Sequence, residues 1–211
     1  MDGNGVGFDV HESESAMILA WIDVTQNLTR LTAEGVKVIP LDAMPRLTEG
    51  HLAQLSEMAT AGLCAEQIKS LSPEQVAALQ YLDWISPQAT AGFTPEQITH
   101  LSLEQFATLN YPDWLGPEVV ASLDSEHISL MSVNWGWMTD DWIAALSPDV
   151  MPTIEPAILS QLTASATTGF AAEQLRQMHP DQIGALKYPQ ALSHEALSAL
   201  NVEQRQALPP A

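Results

Sequence analysis

Residues 59–88 read ATAGLCAEQIKSLSPEQVAALQYLDWISPQ, and residues 89–118 read ATAGFTPEQITHLSLEQFATLNYPDWLGPE; the two stretches agree at 17 of 30 positions without a gap. A third copy at 166–195, ATTGFAAEQLRQMHPDQIGALKYPQALSHE, keeps 12 identities with the second. Between them the pattern blurs, yet VNWGWMTDDWIAAL from 133 still aligns with LNYPDWLGPEVVASL from 109 after one deletion. Upstream, VIPLDAMPRLTEGHLAQL from 38 has the layout of VMPTIEPAILSQL from 150. A fixed period of this size marks a repeat architecture. The chain divides into about five units of 24 to 36 residues, the first and last atypical, as end units must be because each turns one face to water.

Each unit announces where its helices start. Ser72, Pro73, Glu74 and Gln75 supply, in order, a capping hydroxyl, a proline at the first helical position, an acid beside the positive helix end and a capping-box glutamine. Thr94, Pro95, Glu96 and Gln97 repeat the set. Apolar residues before the cap and four residues into the helix form staples: Leu71 with Val76, Phe93 with Ile98, Leu101 with Phe106.

The apolar residues that precede these starts, Leu63, Leu71, Ile85, Phe93, Leu101 and Leu115, are spaced by 8, 14, 8, 8 and 14 residues. A step of 8 leaves room for one or two helical turns. Helices that short do not survive alone in water and must be held by stacking on neighbours. The expected fold is therefore all-α, a solenoid of short capped helices, with the Tyr-Pro-Asp-Trp stretch as a chain-reversing turn. The alternative is a leucine-rich-repeat-like horseshoe with a short strand in each LNYPDWL-like segment; proline and aspartate inside that segment argue against a strand. The expected layout is an N-terminal cap segment over 1–28, in which AMILAWIDVTQNLTRL can form one amphipathic helix, a repeat array over 29–205, and a tail over 206–211.

The phrases LSPEQVAAL at 71–79 and FTPEQITHL at 93–101 resemble the repeat openings of plant-pathogen transcription-activator-like effectors and the helical repeats of large secreted bacterial proteins. The resemblance covers the helix start of each unit and implies a bacterial repeat protein, an effector or part of a larger secreted protein. The base-reading loop and basic inner surface of the DNA-binding effectors have no counterpart here, so DNA binding is not carried over.

Charge points the same way. The net charge is −19, and the segment from Ser70 to Leu175 holds thirteen carboxylates with no Lys or Arg. Such a field repels phosphate backbones and anionic lipid, which disfavours direct nucleic-acid binding and membrane docking. It keeps an apolar-rich chain soluble, and it favours a basic protein surface as partner. No apolar run reaches the length of a membrane span, and the first residues lack the basic start and small-residue cleavage site of a signal peptide. A cytoplasmic location, or export without a cleavable leader, is the expectation. The single cysteine, Cys64, rules out an internal disulfide and sits where its repeat counterpart is Thr94, a capping position.

Neither a metal site nor a catalytic constellation is legible. The six histidines are scattered without ligand spacing, and no phosphate loop, nucleophile elbow or zinc-protease motif occurs. No cofactor, metal or catalytic residue is expected, although an enzyme with a non-local site would look the same in sequence. The tryptophans stand out instead. Trp84 and Trp114 follow Asp83 and Asp113 at one repeat position, and Trp135, Trp137 and Trp142 cluster with Asp140 and Asp141. Large rings at a turn fill the gap where chains reverse. Exposed, the same rings beside carboxylates would receive Lys or Arg from a partner. These nine residues are the candidate binding surface, and the function expected is a protein-interaction scaffold. An acidic mimic of nucleic acid that inhibits a basic DNA-binding protein is the alternative.

Overall fold

The computed structural model describes residues 27–131 and 133–209, together with Met17 and Ala20. The N-terminal helix expected over residues 16–31, and most of the cap segment, lie outside them. Among the described residues every regular element is an α-helix of four to six residues or a 3-10 helix, and no strand occurs, so the fold is all-α and the horseshoe alternative falls. The chain forms two compact units, Met1–Gly92 and Phe93–Ala211.

Equivalent stretches of the two most similar repeats fold alike. Pro73–Ala77 and Leu103–Ala107 are helices, as are Ala65–Ser70 and Pro95–His100, while Leu82–Trp84 and Pro112–Trp114 are 3-10 turns. The predicted caps form. Ser72 Oγ accepts from the Gln75 backbone N–H at 3.2 Å while Gln75 Oε1 accepts from the Ser72 N–H at 2.7 Å, and Thr94 with Gln97 does the same at 3.3 and 2.9 Å. The staple residues Leu71, Val76, Phe93, Ile98, Leu101 and Phe106 are all buried, as is Leu115. Within each unit the helices stack repeat upon repeat, the arrangement of a solenoid. The last described helix, Val202–Ala207, runs past residue 205.

What holds one repeat on the next is the other end of the capping-box glutamine. Its carbonyl oxygen serves its own helix, so its amide NH2 is left to point into the interior. Gln67 Nε2 donates to Val36 O at 2.8 Å and Ile39 O at 2.9 Å, and Gln75 Nε2 to Met44 O and Leu47 O at 3.2 and 2.5 Å. In the second unit Gln174 reaches Ile143 O and Leu146 O, Gln182 reaches Met151 O and Ile154 O, and Gln204 reaches Leu175 O and Met178 O, all at 2.6–2.8 Å. In each pair the first carbonyl also accepts the backbone N–H three residues on, as Val36 O does from Ile39 N and Met44 O from Leu47 N, whereas the second follows the end of a short helix or turn, where the ladder no longer supplies a donor. One buried side chain thus starts its own helix and finishes another.

At some of these joints, those of Gln67 and Gln174 among them, the backbones also approach closely, and glycine permits it. A Cβ on Gly62, Gly92 or Gly169 would lie 2.1–2.3 Å from the backbone oxygen of Ala33, Ala65 or Asp140, the first residue of a helix in the preceding repeat. No side chain fits there.

Candidate functional site

The second unit carries an open groove of about 610 Å³ lined by Asp113, Trp114, Leu115, Gly116, Pro117, Trp137 and Thr139. Two 3-10 turns in successive repeats, Pro112–Trp114 and Trp135–Trp137, build its aromatic walls. A 3-10 helix has three residues per turn, so the first residue and the one after the last share a face. In the first turn that face is Pro112 and Leu115, in the second Trp135 and Met138, and all four are buried. The third residue of each turn is therefore driven outward: Trp114 is 45% exposed and Trp137 71%. Neither ring is a core residue, and they stand at equivalent positions of neighbouring repeats.

Asp113 is the acid of the groove. It is partly buried, and that desolvation holds its carboxyl above the ordinary aspartate range, against the lowering effect of its own backbone N–H. Ion pairs such as Lys37–Glu34, His127–Asp124 and Arg176–Glu173 lie elsewhere, and among the described residues none is formed by Asp113. Thr139, at the helix start opposite, uses its hydroxyl to accept from Trp142 N at 3.2 Å.

The other sequence candidates separate. Trp135 and Trp142 are 2% and 3% exposed and pack edge to face, ring centroids 5.6 Å apart. They belong to the core and drop out of the expected binding surface, because the 3-10 register turns Trp135 inward and Trp142 occupies the third helical position, which the interior side chains of these helices take. Asp140 and Asp141 are exposed on the first turn of the helix that follows Thr139, outside the groove lining. In the first unit, Trp84 (41% exposed) and the exposed Asp83 take the same places in the turn Leu82–Trp84. Leu115, Gly116, Pro117 and Thr139 were not legible as lining residues, although their place between a turn and a cap, repeated in each unit, was the available signal.

A second groove, of about 530 Å³, lies in the first unit among Lys37, Cys64, Glu66, Ser86 and Gln88 and has no aromatic wall. Cys64 stands at the N-cap of Ala65–Ser70, as expected, but its sulfur makes no capping bond; Gln67 Oε1 accepts from its backbone N–H at 3.1 Å. The Glu66 carboxyl is held below its ordinary range by its own backbone N–H and by the Cys64 thiol. Among the described residues no three His, Cys, Asp or Glu side chains are placed to hold a metal ion, and no helix is long and apolar enough to cross a membrane. Against protein-family models, curated proteins and solved structures the chain finds no match, so what the groove can do is read from its own chemistry.

Proposed function

We propose that the chain is a protein-interaction scaffold and that the groove between Trp114 and Trp137 engages a partner through a basic surface. The observation that supports this reading is the pairing of two outward indoles from successive repeats around one unpaired carboxylate. Exposed tryptophan is costly to keep in water and is a preferred anchor of interfaces. The surrounding segment from Ser70 to Leu175 has no Lys or Arg, so its field attracts cations from a distance and hastens encounter with a basic protein.

Salt-titrated capture by the immobilised full chain tests this. Proteins retained at low ionic strength should be basic, should elute as salt rises, and should be lost with Trp114→Ala. Capture indifferent to both salt and Trp114→Ala would overturn the reading.

A further inference from the structure

We infer that the groove between Trp114 and Trp137 is a receptor for an arginine side chain on an extended segment of the partner, and that it selects arginine over lysine. This rests on the binding reading above and names its anchor. The lining supplies the reasons. It consists of two exposed indoles, the small or apolar Leu115, Gly116 and Pro117, the Thr139 side chain, and a single charged group, the carboxylate of Asp113. Such a groove asks for a ligand that is flat, weakly hydrated and rich in donors. Guanidinium is all three: it stacks on aromatic faces, gives up water more readily than ammonium, and meets a carboxylate with two parallel N–H donors.

Lysine fits less well. Its ammonium is a compact, strongly hydrated charge, which loses more on entering a groove whose walls offer little hydrogen bonding in return. The volume, about 610 Å³, is within the ordinary range for ligand pockets and exceeds what one side chain fills, so the residues flanking the arginine share it. Among the described residues no ion pair occupies Asp113, and the nearest basic residues in sequence, Lys69 and Arg176, are 44 and 63 residues away. The carboxylate is already partly desolvated, so an arriving cation recovers interaction that water no longer provides.

Tryptophan fluorescence of the full chain, titrated with short peptides that differ only in one central residue, tests the inference. The central residue is arginine, lysine, citrulline, alanine or glutamate. The arginine peptide should bind about three- to tenfold more tightly than the lysine peptide, and citrulline, flat but neutral, should bind no better than alanine. Trp137→Ala, at a largely exposed position, should weaken the arginine peptide at least tenfold, and Asp113→Asn should abolish the preference for arginine over citrulline. Equal binding of arginine and lysine peptides, both sensitive to salt and to Trp137→Ala, would overturn the selectivity while leaving the scaffold reading intact. Binding by the glutamate peptide as tight as by arginine would overturn both.

Discussion

Two joints of the second unit are built on one plan and finished differently. Where the helix Ala172–Gln177 stacks behind Asp140–Ala145, Gln174 gives its two amide protons to Ile143 O and Leu146 O at 2.7 and 2.8 Å and accepts from Ala171 N at 2.8 Å. Gly169 lies against the Asp140 backbone with no room for a Cβ. Thirty residues after Gly92 and Gln97, the helix Ser125–Leu130 has Ser122 and His127 in those places. Ser122 turns its hydroxyl to Val119 O at 2.7 Å. His127 directs Nδ1 to Asp124 at 2.7 Å and its ring edge-on to Phe106 with centroids 4.7 Å apart, and its buried Nε2 has no partner. The comparison separates two tasks of the third helical residue. A glutamine caps its own helix and bridges two carbonyls at once, whereas an imidazole spends one nitrogen on the cap and has a single nitrogen left, fixed in direction. Glycine is not tied to the amide in general, since Gln75, Gln182 and Gln204 make the same clasp with Ser70, Gln177 and Ala199 in the glycine's place, but at the Gln174 joint the two occur together and at the His127 joint neither is present.

The comparison breaks most readily at the amide. Gln174→Glu keeps the acceptor that caps the helix but replaces the bridging donor with a carboxylate facing two carbonyls in a site 1% exposed. The expected loss is roughly 3–5 kcal/mol at neutral pH, since a buried charge without a partner is the costliest of single changes. Burial raises the folded-state pKa of such a glutamate, so the variant should regain stability as pH falls and the acid protonates. Urea denaturation at two pH values reads both effects. A loss below about 1 kcal/mol would show that the clasp is not what joins these repeats.

Gly169→Ala comes next, at about 3 kcal/mol, the upper end for overpacking, because the added methyl meets a backbone oxygen that cannot rotate away. The same change at Gly116, where a Cβ would touch nothing, should cost less than about 0.5 kcal/mol beyond its mild capping penalty. Denaturation midpoints of the pair sharpen the contrast between a joint glycine and a turn glycine. His127→Gln runs the other way. It should add about 1 kcal/mol by supplying two donors where one nitrogen is orphaned, less what the edge contact with Phe106 contributed.

How much of this the amino acids disclosed depends on whether a residue's task is local. Caps, staples and helix starts involve partners three or four positions away, and Ser72, Thr94 and Leu101 fold as their spacing requires. The outward Trp114 and the inward Trp135 could not be told apart until the 3-10 register was known, because both are large rings in the same kind of turn. Glutamine hid its second task behind its first: a capping box explains Gln75 completely, and the carbonyls it bridges are 28 and 31 residues away. One signal was nonetheless present. Seven helices have Gln at the third position, Gln67, Gln75, Gln97, Gln105, Gln174, Gln182 and Gln204, and none of these has Glu, in a chain whose second helical positions are acidic at Glu66, Glu74, Glu96, Glu104, Glu173, Asp181 and Glu203. Glutamate would serve a capping box equally well. Only a need to donate excludes it.

The smallest effect lies at Asp124, and its sign follows from the same joint. Asp124 accepts from Glu126 N at 2.9 Å and His127 N at 3.0 Å as well as meeting the His127 ring, and these bonds, the His127 backbone N–H foremost, hold its carboxyl below the ordinary range. A folded-state pKa that is depressed contributes stability above the unfolded value, near 3.9 for aspartate, and loses it as pH falls through the lower folded value. Because the carboxylate is 62% exposed, solvent screens most of the interaction, and the contribution stays below about 1 kcal/mol. In Asp124→Asn the side-chain oxygen can still cap, so the variant should match the parent in acid and fall behind it by that small margin near neutral pH. If the difference instead grew as pH dropped, the bonds to Asp124 would favour its neutral form, and the His127 joint would be held by something other than this cap.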